Sequence, residues 1–430
     1  MLKQLHARLQ HAPPVQVGLY AGLSAFAAYF AMYGFRKPYL AATYPGDGPF
    51  VSELTLKTTL ILSQLVGYGA SKYLGSQVLP TLERHARPLA LFALVGISWL
   101  SLLVFAFSSP IVQAVCLFIN GLGLGMVWGL VVSYLEGRRS SEVLLAMLSC
   151  SFILASGAVK DLGRYLMQQL EVPASWMPVA TGACFILPFI AAVSLLHQVP
   201  EPSKEDRITR SPRSTMNPQE RWSYIKRHGL PLVLLLGCYL FLTAYRDYRD
   251  NYGVEIFAGL GYQEEPTLFL KTELPVALLI LGSLALLAAI RNNSKALIAV
   301  FALMSLGLLL LPLSSYLYEH QQISGLTWMM LTGVGSYFAY VPFGSVLFDR
   351  WMAFSRSAGT AVFGIYLADA IGYTGSVGVQ LYADLRSEGV QRLEFFREFT
   401  LVFGWLGAGL FVLAGALIVT QTPLRNRSAQ

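Results

Sequence analysis

The sequence predicts an all-α integral membrane protein of twelve transmembrane helices in two six-helix halves. Of its 430 residues 55% are hydrophobic and only 13% charged, a balance outside the range of soluble domains. Apolar runs of about 20 residues, the length needed to cross a hydrocarbon core of about 30 Å, recur twelve times along the chain. One long polar stretch falls after the sixth run and divides the chain in the middle.

In order, the runs lie near 17–44, 54–79, 88–107, 111–135, 143–168, 174–198, 230–258, 268–290, 294–316, 324–347, 356–382 and 396–420. The first follows a short basic segment, MLKQLHARLQ, but is too long for a signal-peptide core and has no small-residue cleavage site, so it reads as a retained helix. Cys116, Cys150, Cys184 and Cys238 all fall inside runs, where a thiol acts as a small apolar packing residue. No disulfide framework, metal site or cofactor is expected.

Cations mark alternate connections: Arg8 before the first run, Arg84 and Arg87 after the second, Arg138 after the fourth, Lys295 after the eighth and Arg350 after the tenth. Intervening connections carry Glu171, Glu264 and Glu265, although DLRSEGVQRLEFFRE, before the last run, is mixed. The positive-inside rule then places both termini in the cytoplasm, and the expected setting is a multi-pass protein of a bacterial inner membrane. The dividing stretch, EPSKEDRITRSPRSTMNPQERWSYIKRHG, reads as a cytoplasmic linker whose charge fixes topology, and the net charge of +7 has the same origin. No nucleic-acid partner is expected. The domains are therefore an N-terminal half (1–198), a basic linker (199–229) and a C-terminal half (230–430), acting as a monomer in the bilayer.

The two halves share a local echo. Aligning YFAMYGFRK (29–37) with YLFLTAYRD (239–247) pairs Tyr29 with Tyr239 and Arg36 with Arg246, each arginine seven residues after its tyrosine. Parallel repeats of this kind build transporters that bind substrate where the repeats meet.

Ionisable residues inside a membrane are costly, about 2.5 to 3.5 kcal/mol on insertion scales, so they face a cavity or pair with one another. In the first run Tyr29, Tyr33 and Arg36 share a helix face and form a column of two phenols ending in a guanidinium, a donor set suited to phosphate or carboxylate. Lys37 is a further candidate, although it could instead reach lipid headgroups. In YRDYRDNYGVE of the seventh run, Arg246, Arg249 and Asp250 share a face while Asp247 points elsewhere; one arginine is expected to face the cavity, the other to be ion-paired. Lys160, with Asp161 and Arg164, is either a structural ion cluster or a substrate contact. Lys57, Lys72, Lys271 and Glu273 sit near run ends as snorkelling or gate residues. Asp369 is either a partner for a buried cation or a proton-coupling carboxylate; Asp250, Asp161 and Glu255 join it as coupling or ion-pair candidates. Tyr239 and Tyr337 complete the phenols considered for substrate. The six histidines lie in connections or at run ends, so any proton coupling falls to a carboxylate.

At these residues the chain resembles the major facilitator superfamily, and patches resemble its organophosphate:phosphate antiporter branch. The Tyr-x-x-x-Tyr-x-x-Arg-Lys run of that branch is matched by Tyr29, Tyr33, Arg36 and Lys37. Its Asn-Gly…Gly-Met-x-Trp signature is matched in NGLGLGMVWG by Asn120, Gly121, Gly125, Met126 and Trp128. GYGASKYLGS is similar to a Ser-Lys-aromatic segment, and VFGIYLADAIGY makes Tyr366 the counterpart of a substrate-facing tyrosine. The departures are QVLPTLERHAR, which lacks the superfamily's Asp after the second helix, and Phe152, which stands where the branch has a histidine.

The resemblance implies alternating-access transport of a small anionic solute, phosphorylated or phosphonate, with phosphate or a proton as coupling species. Polycarboxylates or carboxylate siderophores are the second substrate class, and a non-transporting anion sensor of the same fold is the alternative role. No Ser-His-Asp set, metal cluster or phosphate-binding loop points to an enzyme, because the NGLGLG glycines lie mid-helix, where they permit close packing.

Overall fold

The computed structural model describes residues 2–44, 54–78, 82–138, 140–203, 206, 218–265, 267–290, 292–355, 361–386 and 391–428. Within these, the side chains of 3, 76, 142, 218, 220–221, 223–224, 227, 361–363, 366 and 421–428 are not described. Tyr366 therefore lies on a described backbone but outside the described side chains, and much of the expected linker lies outside the described residues.

A short helix, α1 (Leu2–Gln10), precedes α2 (Pro14–Arg36), α3 (Leu56–Val78) and α4 (Arg87–Phe107). The fourth span is α5 (Pro110–Leu124) continued by α6 (Val127–Val132), followed by α7 (Ser141–Gln169) and α8 (Met177–His197). The second series comprises α9 (Pro218–Asn251), α10 (Gly253–Gly259), α11 (Leu268–Ala288) and α12 (Asn293–Glu319). It ends with α13 (Gly325–Pro342), a π-helical turn at Phe343–Leu347, α14 (Phe348–Ser355), α15 (Ala361–Leu385) and α16 (Arg392–Ser428). Ten of these stretches are long and apolar enough to cross a membrane, and α3 and α15, at 23 and 25 residues, complete the twelve spans.

Inside the first and seventh apolar runs the helix breaks where hydropathy continues. The first run continues to 44, but α2 stops at Arg36 and a 3₁₀ turn follows over Pro38–Ala41. Proline offers no N–H to the preceding turn and cannot continue the ladder, which hydropathy does not register. The seventh run continues to 258, but α9 ends at Asn251 and α10 restarts after Tyr252. Helix also begins before that run, at Pro218, with a break at Gly229, whose φ of 34° is readily adopted only by glycine.

The chain divides into two compact units. Unit 1 is Met1–Arg210 with Gly261–Leu274 and Asp384–Glu388; unit 2 is Ser211–Leu260, Pro275–Ala383 and Gly389–Gln430. In unit 1, α2 packs on α7 and α8, and α3 and α4 pack on α5. The α3–α5 seam is close because glycines line it. A methyl group on Gly125 would sit 2.5 Å from the Tyr68 carbonyl and 2.6 Å from Ser71 Cβ, and one on Gly121 would meet the Gln64 carbonyl. In unit 2, α12 packs on α13 and α16, and α9 packs on α16.

Candidate functional site

Because α2 ends at a proline, its last carbonyls need donors from outside the helix. Leu40 N–H, which would have closed on Arg36, turns to the Lys37 carbonyl at 3.1 Å. Two side-chain amides supply the ends. Asn120 Nδ2 donates to the Phe35 carbonyl at 3.0 Å and to Ser98 O at 3.0 Å, while Gln64 Nε2 donates to Arg36 O at 2.7 Å and to Asn120 Oδ1 at 2.8 Å. Tyr39 OH donates to Gln64 Oε1 at 3.2 Å. Asn120, fully buried, thus joins α2, α3, α4 and α5 at one point.

This junction fixes Arg36. Its guanidinium lies over the Tyr68 ring of α3, with Cζ 3.9 Å from the ring centre, and Nη1 donates to Tyr33 OH at 3.2 Å. The Tyr29 and Tyr68 side chains are hydrogen-bonded, and Tyr29 meets the Trp128 ring edge-on at 5.0 Å and Tyr33 at 5.6 Å. A cation held over an aromatic face away from water gains about 2 kcal/mol. A guanidinium presents a planar fork of N–H donors, the geometry that grips carboxylate or phosphate. Lys37 is buried at the C-cap of α2, its N–H on Tyr33 O at 3.0 Å.

Unit 2 repeats the pattern. Arg246 lies over the Tyr340 ring with Cζ 4.0 Å from its centre, and Tyr340 is hydrogen-bonded to and stacked on Tyr239, with ring centres 5.5 Å apart. Each first-helix arginine therefore covers a tyrosine from another helix, whose hydroxyl bonds to the first-helix tyrosine seven residues earlier. Tyr340 stands just before the π turn at Phe343–Leu347, and such turns recur at functional positions. Tyr337 and Tyr373 lie within electrostatic reach of Arg246. Tyr239 OH donates to Asp369 Oδ1 at 2.9 Å.

Asp247, expected off the face of Arg246, is nevertheless its ion-pair partner. Its Oδ1 accepts from Arg246 Nη2 at 2.5 Å and Nε at 3.2 Å, and its Oδ2 accepts from Ser376 Oγ at 2.8 Å. The guanidinium reaches around the helix to its sequence neighbour, which face counting from Cβ directions does not anticipate. Arg249 donates from Nη2 to the Met329 carbonyl at 2.8 Å and lies against Gly333. Asp250 is half-buried further along α9, and Glu255 stands in the first turn of α10.

Lys160 and Asp161 belong to a separate place in unit 1. Lys160 Nζ sits 4.5 Å from the centre of the Phe269 ring, and Asp161 lies 3.9 Å from Arg164 and accepts from two backbone N–H groups at the start of α11. Among the described residues, no group of three or more His, Cys, Asp or Glu side chains could hold a metal ion. The sequence reading did not single out Tyr68, Tyr340, Gln64 or Ser376. Tyr68 stands inside the quoted GYGASK segment, and Tyr340 follows Tyr337 by three residues, but neither spacing alone connects them with an arginine on another helix.

A model of a family of unknown function (DUF5690) matches residues 38–420. No curated protein matches the sequence. Among solved structures, the human organic anion transporter MFSD10 (TETRAN) is 16% identical, over 95% of this chain and 100% of that one, with a TM-score of 0.56. A D-xylose-proton symporter is 17% identical, over 95% of this chain and 97% of that one, at 0.59. The nucleoside transporter NupG is 13% identical, over 93% and 99%, also at 0.59. With this helix order and these neighbours the chain has the all-α major facilitator superfamily fold, and it belongs to the DUF5690 family.

Proposed function

We propose that this protein is a secondary transporter of a small organic anion, phosphorylated or phosphonate in character, working by alternating access. One observation carries the reading: the same arrangement occurs in both units, with Arg36 over Tyr68 beside Tyr29, and Arg246 over Tyr340 beside Tyr239. Two guanidiniums at equivalent positions of a repeat, Arg36 buried and Arg246 half-buried against Asp247, are a donor set suited to an anionic solute. The name of one fold neighbour, an organic anion transporter, agrees with this class. Arg36 and Arg246 bind the anion in this reading, with Tyr33 and Trp128 around the first and Tyr337 around the second. Arg249, engaged with the Met329 carbonyl, positions α13. We place the protein in a bacterial inner membrane with both termini cytoplasmic, its two halves joined by the basic stretch 199–229.

Counterflow in proteoliposomes, with phosphorylated, phosphonate and polycarboxylate anions in turn, tests this. Exchange of a phosphorylated or phosphonate anion that Arg36→Ala abolishes supports the reading. Exchange of polycarboxylates alone transfers the site to the second substrate class, and binding without counterflow makes the protein a sensor.

A further inference from the structure

α9 is two helices joined at a kink. It starts at Pro218, leaves helical geometry at Gly229 (φ 34°, ψ −119°) and then becomes the apolar span that carries Arg246. The kink keeps residues 218–228 off the axis of the span. Leu230 and Val233, the first large apolar residues after it, are exposed as lipid-facing side chains are, and they put the edge of the hydrocarbon beside Gly229. Residues 218–228 therefore stand at the level of the lipid headgroups.

This stretch has little of its own to keep it helical. Isolated helices shorter than about 12 to 15 residues are marginal in water, and the body of unit 2 covers only part of this one. Among its described side chains, His228 is buried, its ring edge-on to Trp351 of α14 with centres 4.7 Å apart, and Ile225 is half-buried. Gln219, Trp222 and Lys226 are exposed. Trp222 is the informative residue, a large indole 59% exposed, with Lys226 one turn further on and its Nζ 5.3 Å from the ring centre. Indoles favour the membrane interface, and a lysine beside one can reach lipid phosphate while its stem stays on apolar surface. The sequence of the stretch, PQERWSYIKRH, sets Arg221, Lys226 and Arg227 against one carboxylate, Glu220, a charge balance complementary to an anionic surface.

We propose that residues 218–228 form a surface helix that docks on anionic phospholipid headgroups, with Trp222 entering the boundary of the acyl chains and Lys226 meeting lipid phosphate. His228 against Trp351 ties the helix to the body of unit 2, and Gly229 turns the chain from the membrane surface into the seventh span. The basic stretch thus has a partner of its own, beyond setting the orientation of the chain.

Amide hydrogen exchange on the purified full-length chain tests the proposal in nanodiscs of phosphatidylcholine alone and of phosphatidylcholine with phosphatidylglycerol. No solute is involved, so the outcome is separate from that of the transport reading. The net surplus of cations is expected to slow exchange at residues 219–228 about tenfold in the anionic discs at about 0.1 M salt. The slowing is expected to vanish at about 1 M salt, where the Debye length falls to about 3 Å. Exchange in α12, whose Met304 and Leu308 are buried, is expected to be the same in both discs. Lys226→Glu is expected to remove the slowing and leave exchange in phosphatidylcholine unchanged, whereas Trp222→Ala is expected to raise exchange in both. Equal exchange at residues 219–228 in the two kinds of disc, or a slowing shared by α12, would overturn the proposal. So would a slowing that survives high salt or Lys226→Glu, or a Trp222→Ala variant that exchanges like the native chain.

Discussion

Replacing Asn120 with alanine is expected to destabilise the protein by about 2 to 4 kcal/mol. The side chain is fully buried and makes three hydrogen bonds of 2.8 to 3.0 Å. Ser98 O keeps its bond from Ser101 Oγ at 2.7 Å, and Gln64 Nε2 keeps the one to Arg36 O, so neither is stranded. The Phe35 carbonyl loses its side-chain donor at a helix end closed by Pro38, and an acceptor left unsatisfied in this way costs about 1 to 3 kcal/mol. The space left by the amide adds roughly another 1 kcal/mol. Thermal unfolding in detergent measures the effect. Asn120→Asp is the sharper control, because it keeps the shape and the acceptor but removes both donors, and it is expected to cost at least as much as alanine. An Asp variant that unfolds with the native protein would show that the amide does not hold this helix end, and would remove the explanation of how Arg36 is placed.

Other expectations follow from the same geometry. Gly125→Ala pushes α5 off the Tyr68 backbone, and overpacking of this kind costs about 1 to 3 kcal/mol; the unfolding temperature should fall, and anion affinity with it as Tyr68 shifts beneath Arg36. Asp247→Ala leaves Arg246 without its carboxylate and should destabilise by about 3 to 5 kcal/mol, whereas the Asp247→Ala, Arg246→Ala double variant should be more stable than Asp247→Ala alone. Arg36→Lys keeps the charge but gives up the guanidinium fork held over Tyr68, so anion affinity measured by thermal shift should drop about tenfold, corresponding to roughly 1.4 kcal/mol.

Much of the fold was legible because membrane spans obey a length rule that composition reveals directly. The repeat was legible too, since Tyr29 and Arg36 have counterparts at the same spacing in Tyr239 and Arg246. What hydropathy could not see were backbone events inside apolar runs. Pro38 ends α2 although the residues after it stay apolar, and Tyr252 interrupts the seventh run. The site was legible only along single helices. Tyr68 and Tyr340 come from other helices, and nothing in their local sequence encodes the arginines that lie over them. Asp247 lies off the face of Arg246, and the two meet because a long guanidinium is not confined to the face its Cβ marks. Asn120 was noticed through a motif, but its work at the end of α2 emerges only once Gln64, Ser98 and Phe35 are seen together.

In the proposed function Arg36 and Arg246 are the anion-binding groups of a transporter. Counterflow of a phosphorylated or phosphonate anion in proteoliposomes containing the native protein, Arg36→Ala or Arg246→Ala tests it most directly. Saturable exchange by the native protein and its loss in both variants is expected, with both still folded by their unfolding temperatures. Exchange that survives in either folded variant at the native rate would contradict it.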